Sequence, residues 1–131
     1  MYLLLDPTDN DKLELSLFSR EGLVRSSSFE AKAEGFLQVI DNFLSSNNCS
    51  VSEIEGMVVV VGEGRFTATR IATTIANTFS FVENINLLAV DKTKDDLNTD
   101  NVQHLYNLID QAEKGQARYI SAQYSGKPNI N

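Results

Sequence analysis

The succession of two hydrophobic periodicities constrains this chain more than any single motif does. Residues 2–29 contain three short segments that are apolar or alternate with polar residues, as strands do, and polar turns separate them. Residues 33–47 change to the roughly 3.6-residue spacing of an amphipathic helix. A largely β-branched apolar run at 57–61, a second helical pattern at 66–81 and a last apolar run at 85–90 complete the order β-β-β-α-β-α-β.

This order predicts an α/β fold with a mixed five-stranded sheet. Short turns between the first three strands favour an antiparallel meander, and the solid apolar run at 57–61 is typical of a central parallel strand. Right-handed crossovers then leave few alternatives to the strand order 3-2-1-4-5, the layout of a ribonuclease-H-like or actin-like ATPase lobe. We expect one more helix near the end of a single domain at 1–115, followed by a C-terminal extension or tail at 116–131.

Charge and residue counts disfavour several classes of protein. Eleven Lys and Arg residues against eighteen Asp and Glu residues give a net charge of −7, which opposes direct nucleic-acid binding. A single cysteine, Cys49, and a single histidine, His104, disfavour a disulfide framework, a zinc site and a His-dependent triad, so no metal is expected. No segment resembles a signal peptide or a membrane span. We therefore expect a cytoplasmic protein with no membrane partner.

The sharpest local feature lies between the buried strand at 57–61 and the second helix. It reads Gly62-Glu63-Gly64-Arg65-Phe66-Thr67-Ala68-Thr69-Arg70. Glycines at the end of a parallel strand let the backbone approach a ligand, and a helix start with Arg65 and Arg70 favours anions. The Gly-Lys-Ser/Thr ending of a P-loop is absent. The spacing alone favours the simpler interpretation, a strand-to-helix turn with Thr67 as N-cap.

The same stretch resembles a family signature. It is similar to the Gly-Pro-Gly-Ser-Phe-Thr-Gly-Leu-Arg-Ile motif of the TsaB family, which takes part in bacterial threonylcarbamoyladenosine (t6A) modification of tRNA. The matching residues are Gly62, Gly64, Phe66, Thr67, Arg70 and Ile71. The opening Leu3–Thr8 is similar to the family's Ile-Asp-Thr-Ser-Thr start, with Asp6 kept. The resemblance runs from about residue 2 to residue 90, and only the motif at 62–71 is specific.

The resemblance implies a non-catalytic scaffold subunit with an actin-like fold. Members of the family pair with TsaD, which carries out threonylcarbamoyl transfer; the ATPase TsaE joins them, and isolated TsaB is often a homodimer. Two departures bear on nucleotide binding. Residues 92–131 are too few for the family's second lobe, and Asp9 and Asp11 stand in the first turn where carboxylates repel phosphate. We therefore expect no cofactor, and weak or absent ATP and ADP binding.

Apolar residues on both helices predict a partner surface. They cover a wider arc than the roughly 100° that a helix needs to pack on its own sheet. The expected interface residues are Phe36, Ile40 and Phe43 on the first helix and Ile71, Ile75 and Phe79 on the second. Small residues at Ala68, Ala72 and Ala76 would permit close helix approach. The alternative is that the C-terminal helix or closer sheet packing covers the surplus.

Other functions remain open from the sequence. A protein of a different class would be a small nucleotide-binding or hydrolysing enzyme that uses the Gly62–Arg70 loop, and a third possibility is a dimeric adaptor unrelated to tRNA. A ribonuclease-H-type nuclease is disfavoured. Such an enzyme needs clustered carboxylates for two metal ions, and beyond Asp6 and Glu34 the expected positions carry none, since the next central strand ends in Gly62.

Overall fold

A computed structural model describes residues 1–62 and 66–91 of this chain, together with Asn107 and Asp110. Asn107 and Asp110 are helical, and the Arg20 guanidinium contacts the Asp110 carboxylate at 3.4 Å. The rest of the expected C-terminal helix lies outside the described residues, as do the domain boundary at 115 and the tail at 116–131.

Within residues 1–62 and 66–91, five strands and two helices follow one another in the order that the periodicities predict. Their bounds are β1 Tyr2–Asp6, β2 Lys12–Ser19, β3 Gly22–Glu30, α1 Phe36–Ser46, β4 Gly56–Val61, α2 Phe66–Glu83 and β5 Asn86–Asp91. Single 3₁₀ turns at Ala33–Gly35 and Val51–Glu53 precede α1 and β4. Ser50 is the N-cap of the second turn, and its backbone N–H donates to the Glu53 carboxylate at 2.8 Å. That bond lowers the pKa of Glu53.

The strands form one mixed sheet in the order β3-β2-β1-β4-β5. β1, β2 and β3 pair antiparallel, whereas β1 pairs parallel with β4, and β4 pairs parallel with β5. The prediction of a mixed five-stranded sheet with two helices is therefore confirmed. The tight turn between β1 and β2 contains Asp11 in the left-handed region, with φ 52°, and the turn into β3 contains Gly22 with φ 132°.

Both faces of the sheet are apolar, and both helices pack on the same face. β1 and β4 are buried along their whole length, as continuous apolar runs require. The helix-bearing face consists of Leu3, Leu5, Leu13, Leu15, Leu17, Met57, Val59, Val61 and Leu87. The opposite face consists of Tyr2, Leu4, Phe18, Val58, Val60 and Val90. The Tyr2 and Phe18 rings stack there with centroids 5.7 Å apart.

An asparagine in the left-handed region follows each helix. Asn48 follows α1 with φ 54°, and Asn84 follows α2 with φ 57°. After α1, the backbone N–H of Cys49 donates to the Leu44 carbonyl at 2.9 Å, and that of Asn48 donates to the Ser45 carbonyl at 3.1 Å. This pair of bonds is a Schellman closure, which satisfies carbonyls at the helix end and turns the chain back towards the sheet.

Candidate functional site

The glycine-bearing turn lies at the carboxyl end of β4, beside the end of β1. Gly62 is buried, and the next described residue, Phe66, begins α2. Thr67 therefore lies inside the first helical turn, so the prediction that Thr67 is the N-cap is wrong. The side chains of Thr67 and Arg70 are exposed. Residues 63–65, which include Gly64 and Arg65, lie outside the described part of the chain.

The turn that follows β1 lies at the same end of the sheet as the glycine-bearing turn. Asp6 is 8% exposed, and its carboxylate accepts hydrogen bonds from the backbone N–H of Thr8 at 3.0 Å and from the Thr8 hydroxyl. An aspartate that bonds the backbone two residues later forms an Asx turn. The carboxylate thus holds the hairpin turn in place. Within residues 1–62 and 66–91, no group of three His, Cys, Asp or Glu side chains is placed to hold a metal ion.

A small cleft lies between the β1–β2 turn, the segment before α1 and the start of α2. Its volume is about 280 Å³, and its charged lining residues are Asp9, Asp11, Lys12, Lys32 and Glu34. Small-molecule sites usually occupy about 300–1,000 Å³ and are mostly apolar. Three carboxylates against two lysines give this cleft a net negative charge, which opposes phosphate. The sequence indicated the two turn aspartates but not that the lysines and Glu34 meet them.

The three apolar residues expected to form an interface on α1 lie in the core. Phe36, Ile40 and Phe43 are at most 3% exposed. The Phe43 ring packs edge-on against Phe29 of β3, with centroids 5.9 Å apart. The partner surface expected on α1 therefore cannot consist of these side chains, because the sheet already covers them. The apolar residue that α1 does expose is Leu37, at 55%.

The residues expected on α2 are placed differently. Ile71, Ile75 and Phe79 are half-buried, and they pack against the core only at its margin. Spacings of four residues align them along the helix, and Val82, seven residues after Ile75, extends the line with 66% of its surface exposed. We refer to Ile71, Ile75, Phe79 and Val82 as the α2 stripe.

The small residues of α2 face the sheet and not a partner. Ala68, Ala72 and Ala76 are at most 8% exposed and belong to the core. Their role is therefore to bring α2 close to the chain's own sheet, which corrects the expectation that they permit approach of another helix. The helical periodicity did not predict a neighbouring feature: Thr69 and Thr73 are also buried, and their hydroxyls have no hydrogen-bond partner among the described residues. None of the helices in the described part of the chain is long and apolar enough to cross a bilayer.

Comparisons with known proteins show one kind of likeness, that of the fold. No protein-family model matches the chain, and no curated protein matches its sequence. Among solved structures, the chain is similar to YeaZ from Pseudomonas aeruginosa and to an uncharacterized P. aeruginosa protein with similarity to peptidase YeaZ. Both superpose with a TM-score of 0.60 at 22% sequence identity over 69% of this chain.

The matched region is a minor part of those neighbours. It covers 43% of YeaZ and 42% of the second protein, so the chain spans less than half of their length. Sequence identity at this level establishes shared architecture, and function has to be argued from the surfaces of this chain. The described residues therefore form a mixed five-stranded α/β sheet with two helices that is similar in fold to YeaZ.

Proposed function

We propose that this chain is a TsaB-like, non-catalytic scaffold subunit of the t6A tRNA-modification machinery. YeaZ is another name for TsaB, so the fold likeness and the motif residues Gly62, Gly64, Phe66, Thr67, Arg70 and Ile71 support the same family. In this proposal the chain forms a homodimer in isolation and a heterodimer with a TsaD-like subunit, which a TsaE-like ATPase joins. It contacts neither nucleic acid nor membrane directly.

The observation that carries the proposal is the α2 stripe. Half-buried Ile71, Ile75 and Phe79 and the exposed Val82 form a line of apolar surface on one helix. A monomer seldom leaves such a line of apolar surface in contact with water, because transferring apolar surface from water into an interface is favourable. In the proposed assemblies the stripe meets the equivalent helix of a second copy or of the TsaD-like subunit, so the two assemblies exclude each other.

In this function the chain has no catalytic role. The one thiol, Cys49, is buried, and burial raises its pKa, which is the opposite of what a nucleophilic cysteine needs. The small, negatively charged cleft beside α2 likewise does not favour an independent nucleotide-hydrolysing enzyme.

The test compares glutamate substitutions on and off the stripe. Val82→Glu and Ile75→Glu place a charge in the proposed interface, where an unpaired charge is strongly unfavourable. Thr74→Glu adds the same charge at an exposed position of the same helix and serves as the matched control. We expect the stripe variants to be monomeric by light scattering and to lose co-purification with the TsaD-like subunit, while Thr74→Glu behaves as wild type.

Two results would contradict this proposal. One is a wild-type protein that stays monomeric at high concentration and does not bind the TsaD-like subunit. The other is a loss of assembly that is equal in Val82→Glu and in Thr74→Glu. Ile75 contacts the core, so its variant is interpreted only if circular dichroism remains near wild type; Val82 is exposed enough to decide the question alone.

A further inference from the structure

The outer edge of β3 is a second surface without a partner in the described part of the chain. β3 is nine residues long and lies at the end of the sheet, where it pairs with β2 on its inner side alone. An edge strand presents a row of backbone N–H and C=O groups that another strand can pair with. Proteins usually guard such edges with lysine, proline or a bulge.

The only feature of β3 that hinders the addition of another strand is a bulge near its N-terminal end. The register with β2 shifts between Leu17 and Phe18, so that Val24 is the extra residue of a bulge. After the bulge, Arg25–Glu30 pairs regularly with β2 and contains neither proline nor lysine. Its centre is Ser26-Ser27-Ser28, a small and uncharged segment that does not repel a second strand.

The side chains of this segment alternate in a pattern that complements itself. Arg25, Ser27 and Phe29 pair with leucines on the helix-bearing face, so they point to that face of the sheet. In an antiparallel pair, residues directly opposite each other share a face. If Ser27 lies opposite Ser27 of a second copy, Arg25 of each copy lies opposite Phe29 of the other.

We propose that β3 pairs antiparallel with β3 of a second copy of this chain, centred on Ser27, so that two five-stranded sheets become one of ten strands. In this register each Arg25 guanidinium reaches the face of a half-buried Phe29 ring, a favourable cation–π arrangement. A pocket of about 180 Å³ lies between β3 and α1 on the same face of the sheet, and its lining includes Arg25, Ser27 and Phe29 of this chain.

Neighbouring registers fit less well. Centring on Ser26 places the bulge residue Val24 opposite Ser28, inside the paired segment, whereas centring on Ser27 leaves Val24 at its ends. Centring on Arg25 opposes two arginines. Centring on Ser28 places Ser27, and not Arg25, opposite Phe29. The overall charge of −7 repels two copies, but Glu30 is the one carboxylate of the segment, and it lies opposite Val24 of the copy.

Single cysteine variants test both the pairing and its register. Each of Ser26→Cys, Ser27→Cys and Ser28→Cys faces itself in one register only. Opposed Cα atoms are about 4.5–5.5 Å apart, within the roughly 4.4–6.8 Å that a disulfide spans. We expect mild oxidation to cross-link Ser27→Cys fastest, while wild type, whose Cys49 is buried, stays uncross-linked. Equal, slow cross-linking of all three variants, or the fastest cross-linking at Ser26 or Ser28, overturns the proposal.

A charge swap gives a reversible form of the same test. Ser27→Lys and Ser27→Glu each oppose two like charges and should weaken the edge contact, whereas a one-to-one mixture pairs lysine with glutamate and should restore it. Both are measured in the Val82→Glu background by light scattering, so that the α2 stripe does not contribute. Failure of the mixture to associate more than either variant overturns the proposal. The cross-linking result does not depend on the stripe.

Discussion

At the scale of single residues, Cys49 shows how burial changes chemistry. Its thiol donates to the Ser50 carbonyl at 3.6 Å, and burial, with Glu53 nearby, raises the thiol pKa. The folded state therefore prefers the neutral thiol. The stability that this contributes is fully present below the ordinary thiol pKa of about 8.5, and it is lost as the pH rises through the higher pKa of the folded state.

We therefore expect the free energy of unfolding to decline more steeply above about pH 8.5 in wild type than in Cys49→Ala. Chemical denaturation of both proteins across this pH range measures the two free energies of unfolding. Subtracting one from the other cancels the contribution of every titratable group that the two proteins share. Parallel pH curves for the two proteins would show that the thiol titrates alike in the folded and unfolded chain.

At the scale of elements, helix endings determine how the chain returns to the sheet. The left-handed φ of 54° at Asn48 closes α1. A side chain with a Cβ costs roughly 1–2 kcal/mol in this region, and asparagine tolerates it better than most residues. Asn48→Ala should lower the free energy of unfolding by about 1 kcal/mol, whereas Asn48→Gly should retain wild-type stability, because glycine adopts this φ without strain.

Urea denaturation of the two Asn48 variants and wild type tests this expectation. The glycine variant is the matched control, since it removes the same side chain but keeps the backbone conformation accessible. An alanine variant as stable as the glycine variant would mean that the Schellman closure does not depend on this position.

At the scale of the whole molecule, charge and cleft size argue against tight nucleotide binding. The described cleft is about 280 Å³, and Asp9, Asp11 and Glu34 outnumber its two lysines. We predict no ATP affinity better than about 100 μM, roughly 5.5 kcal/mol, with Mg²⁺ present. Isothermal titration calorimetry measures it, with an established ATP-binding protein as the positive control. Micromolar binding would instead favour the alternative of a nucleotide-dependent enzyme that uses the Gly62–Arg70 loop.

Much of the fold follows from the sequence because it is local in origin. Alternating Leu13, Leu15 and Leu17 predict a strand with one apolar face, and the continuous Met57–Val61 run predicts a strand buried on both faces, so the positions of these strands follow from periodicity. Periodicity did not predict that Ser16 and Phe18, on the other face of β2, are buried as well. The composition of the turn at 62–71 also pointed to the YeaZ-like fold that the structural comparison supports. These features depend on the conformational preferences and hydrophobic pattern of residues close together in the chain, and both can be determined from the sequence.

Tertiary structure alone decided which apolar surface is left over. Phe36, Ile40 and Phe43 carry the same helical pattern as Ile71, Ile75 and Phe79, yet the first three are buried and the second three stand at the margin of the core. Periodicity records that a helix has an apolar side but not how far the sheet extends beneath it. That extent depends on the register and twist of strands far apart in the chain, because burial is a property of the packed molecule.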